Sequence, residues 1–258
     1  MRINMKPILT ATALSAFCLG SAHAGLVAYY SFDSDFTDAE ATTGGGTITG
    51  TTGTISSAAG DVAVGSGAAR LDGTGPMSLA ETIAFGASDT WSVAFWGKRD
   101  SDADVRAGMV LSGGAGFVWT PDNDSSSAIN GLRNRSDGGA SGSGPNQRDT
   151  QYDDTSIDYS IYNHWAVVAD GSGATNNMKI YLNGDEVVSK DDALVNTVFS
   201  SFGGWGGSNV LNNYDGVIDE LYIYDEAISE SAVQALVPEP GSLALIGFGG
   251  LFMLRRRR

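Results

Sequence analysis

From Gly25 to Val237 the apolar residues recur mainly at every second position, in short runs separated by Gly, Asn, Asp and Ser, which is the period of a strand and not of a helix. Leu26 to Phe32, Ala68 to Asp72, Met109 to Leu111 and Phe117 to Trp119 are such runs. Trp91 to Lys98 places Trp91, Val93 and Phe95 on one face and Ser92, Ala94, Trp96 and Lys98 on the other. His164 to Asp170 repeats the pattern with Trp165, Val167 and Ala169, and Met178 to Leu182 with Met178, Ile180 and Leu182. Asn183-Gly184 then closes a hairpin into Glu186 to Val188, because both residues tolerate the positive φ that a tight hairpin turn requires. Val198 to Trp205 and Gly216 to Tyr224 add two more strands, and the Gly- and Thr-rich stretch Thr42 to Thr54 has Ile48 and Ile55 as its apolar points. Pro121 to Asp154 is polar and glycine-rich; within it Asp137 to Pro145 has no apolar face and reads as a surface loop. One short helix is predicted, Glu230 to Leu236, capped by Ser229. The chain is therefore expected to be all-β, a two-sheet antiparallel sandwich.

The ends follow different patterns. Arg2 and Lys6, the apolar stretch Ile8 to Leu19 and Ala22-His23-Ala24 form a secretory signal peptide cut after Ala24. Phe17 is too bulky for Cys18 to be a lipid attachment site, and cleavage removes this single cysteine, so the mature chain has no thiol chemistry. At the other end stand Pro238-Glu239-Pro240, an apolar run from Leu243 to Leu254 broken only by Gly247, Gly249 and Gly250, and Arg255, Arg256, Arg257 and Arg258. As a helix the apolar run would be about 18 Å long against a hydrocarbon core of about 30 Å, a marginal transmembrane helix with its arginines on the cytoplasmic side. Three segments result: 1–24, 25–237 and 238–258.

Charge narrows the partners. Between residues 25 and 240 all 30 acidic residues stand against nine basic ones, a net charge near −21. Such a surface repels nucleic acid and anionic membranes, and leaves neutral polymers and divalent cations as partners. No motif supplies a catalytic nucleophile: there is no Gly-x-Ser-x-Gly and no phosphate-binding loop, and His164 is the one histidine left after cleavage. Asp100-x-Asp102-x-Asp104 starts like a calcium-binding hand, but Val105 and Leu111 stand where that loop needs Gly and Glu. Asp122-Asn123-Asp124 fails in the same way at Ser127. Asp219 shares a predicted strand face with Val217, Leu221 and Ile223, which would aim a carboxylate at the core margin.

Six segments occur together and in order: Leu26 to Asp33, Ala69 to Gly73, Trp91 to Trp96, His164 to Val168, Ile180 to Gly184 and Gly216 to Tyr224. In that order they resemble the laminin-G-like jellyroll domains of the concanavalin A-like superfamily. The resemblance covers nearly all of 25–237 and implies two curved sheets, one concave and available to a ligand. Relatives of this kind hold calcium at the sandwich rim, and Asp33, Asp38 and Asp219 are the positions this implies as ligands, although Asp219 is as readily read as accepting from turn amides. The carboxylate spacing Glu-x-Asp-x-x-Glu of glycan-hydrolysing relatives is absent. The tail resembles a PEP-CTERM sorting signal, which implies an exosortase-type protease as partner, transient anchoring in the inner membrane and release to the cell surface or beyond. For a polysaccharide ligand the aromatic platforms are Trp205, Trp119, Tyr152 and Tyr159, with Asn209 beside Trp205 for hydroxyl groups. The expectation is an exported, non-catalytic protein that binds polysaccharide. A structural matrix component without a ligand is the alternative, and a glycan hydrolase or lyase comes third.

Overall fold

Fifteen strands form among the described residues. These are β1 (Leu26–Tyr30), β2 (Ile48–Thr49), β3 (Gly53–Ser56), β4 (Ala68–Asp72), β5 (Met77–Phe85), β6 (Trp91–Arg99), β7 (Gly108–Ser112) and β8 (Phe117–Trp119). They continue with β9 (Arg133–Arg135), β10 (Asp149–Gln151), β11 (Asn163–Ala169), β12 (Met178–Leu182), β13 (Asp185–Lys190), β14 (Thr197–Phe202) and β15 (Asp215–Tyr224), and the helix α1 (Glu230–Ala235) follows. The structure, a computed structural model, describes residues 25–40, 46–49, 53–100, 108–112, 117–119, 132–135, 149–154, 156–173, 175–191, 194, 196–204 and 213–237, with the backbone alone for 108–112, 117–119, 133–135, 149 and 151. The signal segment 1–24 with Ala24, the loop 137–145, Trp205, Asn209 and the tail 238–258 with its Pro238-Glu239-Pro240 and arginines lie outside the described residues. Among those described, no helix is long and apolar enough to cross a membrane.

The strands form two antiparallel sheets packed as a sandwich. The first runs β13-β12-β11-β6-β15-β4-β3, with β1 also on β15, and the second runs β10-β9-β8-β7-β14-β5-β2. Between them lies one core built on Phe95, Trp91, Trp165, Phe199, Phe202 and Tyr30. Trp91 meets Phe199 edge to face with ring centroids 5.3 Å apart, a favoured aromatic geometry. β11 is buried at every position. Trp165, Val167 and Ala169 enter the core, whereas Ala166 and Val168 pack outward beneath Val233 of α1. A helix laid on the outer face thus explains an apolar run where a one-sided strand would alternate.

Two parts differ from the sequence expectation. The polar stretch 121–154 carries two strands, β9 and β10, paired to each other and, through β9, to β8. The second concerns β15, whose Glu220 has φ 52° and whose pairing with β6 is irregular between Asp219 and Tyr222. This bulge reverses the side-chain alternation. Ile218 as well as Leu221 and Ile223 therefore face the core, while Asp219, opposite Trp96, leaves the core side on which the sequence places it.

Candidate functional site

β15 changes partner at that bulge. Asp215 to Ile218 pair with β4, and Leu221 to Tyr224 pair with β1. Asp219 and Glu220 sit at the junction, both buried. One Asp219 oxygen accepts from the backbone N–H groups of Ala63 (2.9 Å) and Val64 (3.1 Å), and the other from that of Glu220 (2.9 Å). Burial pushes its pKa up to about 7 against the pull of those amides. Glu220 takes the Tyr29 hydroxyl at 2.8 Å and also that of Tyr222, whose ring stacks on Tyr29 at 4.5 Å. Burial raises the Glu220 carboxyl too.

Asp219 is one of several anchors for a strap, residues 57–67, that crosses the outer face of the first sheet. Asp33 accepts from Ser66 N–H, from Ser66 Oγ at 3.0 Å and from Gly67 N–H at 3.2 Å. Asp61 pairs with Arg70 (3.2 Å) and Lys98 (3.6 Å), and its carbonyl accepts from the Tyr162 hydroxyl. Arg70 also grips Asp100, the first acid of the hand-like run. Gly67 permits the close seating, since a Cβ there would lie 2.5 Å from the Phe32 carbonyl oxygen.

Next to this anchor, on the same outer face, lies His164. It is fully buried, edge-on to Trp96 at 5.1 Å, and neither ring nitrogen has a hydrogen-bond partner. Burial lowers its pKa to about 4, so the ring is neutral at physiological pH. It is a packing residue.

The three aspartates implied as calcium ligands have other work. Asp33 and Asp219 hold the strap amides. Asp38 accepts from the N–H groups of Tyr29 (2.9 Å) and Glu40 (3.0 Å) beside the edge of β1. No group of three acidic, His or Cys side chains close enough to hold a metal ion is found among the described residues.

The aromatic candidates separate as well. Tyr152 and Tyr159 are half-buried against the core, and Tyr152 donates to Asp154 at 2.9 Å. Trp119 stands at the end of β8, where strand register aligns it with Arg133 of β9, and Arg133 with Gln151 of β10. The row Phe117, Arg135, Asp149 lies two positions away, and between the two comes Val118, Asn134, Thr150, whose Thr150 is buried. By the pleat of a strand, the outer two rows share a face opposite that of the middle row. Motif reading missed Arg133 and Gln151, because nothing in a polar stretch announces its pairing.

The fold has known counterparts. Domain 4 of AbnA, a GH43 extracellular arabinanase from Geobacillus stearothermophilus solved with arabinotriose, matches at TM-score 0.57 and 21% identity over 83% of this chain and 98% of that one. The binding domain of Paraclostridial Mosquitocidal Protein 1 matches at 0.54 and 18%, over 83% and 52%. Trypanosoma rangeli sialidase in complex with sialic acid matches at 0.55 and 11%, over 83% and 33%. The chain thus spans about half the toxin domain and a third of the sialidase, and at these identities the likeness is one of fold alone. No curated protein sequence matches the chain. Residues 236–258 match the PEP-CTERM protein-sorting motif, which makes this an exported, sorted protein and implies processing by an exosortase-type system. Residues 71–234, more than half of the chain, match the Laminin_G_3 family, so the protein belongs to the concanavalin A-like lectin/glucanases superfamily.

Proposed function

We propose that the exported domain is a non-catalytic binder of neutral polysaccharide, acting at the cell surface or in the extracellular matrix. The observation that carries this reading is the register of the second sheet. It aligns Trp119 with Arg133 and Gln151 and sets Phe117, Arg135 and Asp149 two rows away at the same parity. An aromatic ring offers a sugar its face, and guanidinium and amide groups offer hydrogen bonds to its hydroxyls. Trp205 and Asn209, which follow β14 in the chain, complete the proposed set. The net charge near −21 argues against polyanionic glycans. The two buried acids of β15 are engaged by backbone amides and tyrosine hydroxyls, an arrangement that serves structure and leaves neither free to act as a glycosidase acid. The arabinotriose-bound neighbour supports the ligand class.

Affinity electrophoresis through gels containing neutral polysaccharides, including arabinan, tests the reading. The native protein is expected to be retarded by at least one of them. Trp119→Ala should weaken that retention at least fivefold, the equivalent of about 1 kcal/mol. Equal mobility of the native protein with and without every polysaccharide would dismiss the binding function. Release of reducing sugar would replace it with hydrolysis.

A further inference from the structure

The helix α1 is too short to persist alone in water, so it exists because it is docked. Its approach is fixed by Ser92, whose hydroxyl donates to the Glu226 carbonyl at 2.6 Å and accepts from Ile228 N–H at 3.2 Å. Ser229 caps the first turn, accepting from Ala232 N–H at 3.2 Å. Val233 is wholly buried in the outer cluster with Ala94, Ala166, Val168 and Tyr181, and Leu236 packs at its margin. Leu236 is the C-cap and Val237 N–H donates to the Gln234 carbonyl at 3.1 Å, so a closing turn ties both residues to the end of the helix. Gly184, at the tip of the β12–β13 hairpin, abuts this last turn: a Cβ there would lie 3.4 Å from Gln234 Cγ and 3.7 Å from Val237 Cγ2.

The sorting motif begins at residue 236. Leu236 and Val237 are therefore part of the folded domain and part of the signal at once, with Pro238-Glu239-Pro240 next in the chain. A segment whose preceding turn is packed on a sheet is not free to extend into a protease cleft. We propose that α1 is a latch: docked, it withholds the start of the sorting signal from the processing protease, and its undocking sets the rate of processing.

Pulse-labelling of the full-length protein in its native host, with the ratio of precursor to processed form followed over time, tests this. A six-residue Gly/Ser linker between Val237 and Pro238 leaves every domain contact in place, Leu236 and Val237 included, and moves Pro238-Glu239-Pro240 away from the docked turn; processing should accelerate severalfold. Val233→Ala should accelerate processing about tenfold, the factor that about 1.4 kcal/mol of lost docking produces. Added to the linker variant, the same substitution should change nothing. Native and linker proteins processed at the same rate, or neither processed at all, would overturn the latch, and this outcome is independent of any result on polysaccharide binding.

Discussion

His164 and Asp219 flank Trp96 on the outer face of the first sheet, and both are buried groups with displaced titrations. Their effects on stability have opposite signs. His164 falls from 6.5 to about 4. Between those values the unfolded chain holds the proton and the folded one does not, so stability rises with pH by about 3 kcal/mol across the window. Asp219 rises from 3.8 to about 7. Between those values the folded chain holds the extra proton, so stability falls with rising pH, by about 4 kcal/mol in all. The slopes nearly cancel from pH 4 to 6.5. Glu220, also raised, adds to the Asp219 side. The native protein should thus have a shallow pH profile in that range, tilted towards acid. His164→Phe removes one of the opposing slopes, and its stability should fall by about 3 kcal/mol more than the native protein's from pH 4 to 6.5. Asp219→Asn should show the reverse, gaining with pH. Urea unfolding followed by tryptophan fluorescence at half-unit pH steps measures both, and any packing penalty of the substitution shifts a curve without altering its slope. Parallel curves for the native protein and His164→Phe would refute the titrations argued from burial.

Other outcomes follow from the strap and its anchors. Asp33→Asn and Asp219→Asn should each speed amide exchange at 63–67, and the change should be the same in calcium and in chelator, because the affected oxygens bind backbone N–H groups; a difference confined to calcium would restore a metal role. Gly67→Ala should cost about 1–3 kcal/mol by urea unfolding, since the added methyl overpacks the Phe32 carbonyl. Tyr222→Phe removes one of the two hydroxyls on Glu220 and should cost about 1.5–3 kcal/mol, the usual worth of a hydrogen bond to a charged group, with no loss of polysaccharide retention.

Strands with large apolar residues at every second position were legible, and strands whose local residues favour other structure or show no apolar pattern were hidden. Trp91–Arg99 and Asn163–Ala169 announce themselves by alternating large apolar residues that the core requires. Met77–Phe85 was not read as a strand, although Met77, Leu79, Ile83 and Phe85 all point inward. Its centre, Leu79-Ala80-Glu81-Thr82, contains good helix formers and puts Glu81 at an inward-parity position, so local preference argued against what pairing with β14 imposes. Arg133–Arg135 and Asp149–Gln151 offer no apolar pattern at all, and exist through backbone pairing to each other and, for Arg133–Arg135, to β8. The bulge at Glu220 was equally invisible. Nothing in Asp219-Glu220-Leu221 marks a residue with positive φ, yet that single insertion moved Asp219 from the core side to the strap.

The acid surplus that suggested cations has a simpler use, and this bears on how the site is sought. Asp35, Asp72, Asp154, Asp158 and Asp170 each accept from the N–H of the Ser or Thr two residues on, and each is held below the usual carboxylate range mainly by the hydroxyl of that residue. These are turn-closing carboxylates of a fold with many hairpins. Asp33, Asp38 and Asp219 extend the device to the strap and to the edge of β1. Much of the acid surplus is thus engaged within the fold, by backbone amides or, at Asp61 and Asp100, by Arg70 and Lys98. The remaining chemistry that backbone pairing brings together is the Trp119, Arg133 and Gln151 alignment in the second sheet, which lies in the stretch where residue patterns were least informative. A polar segment of a sandwich escapes pattern reading because backbone pairing, and not an apolar face, holds its strands together.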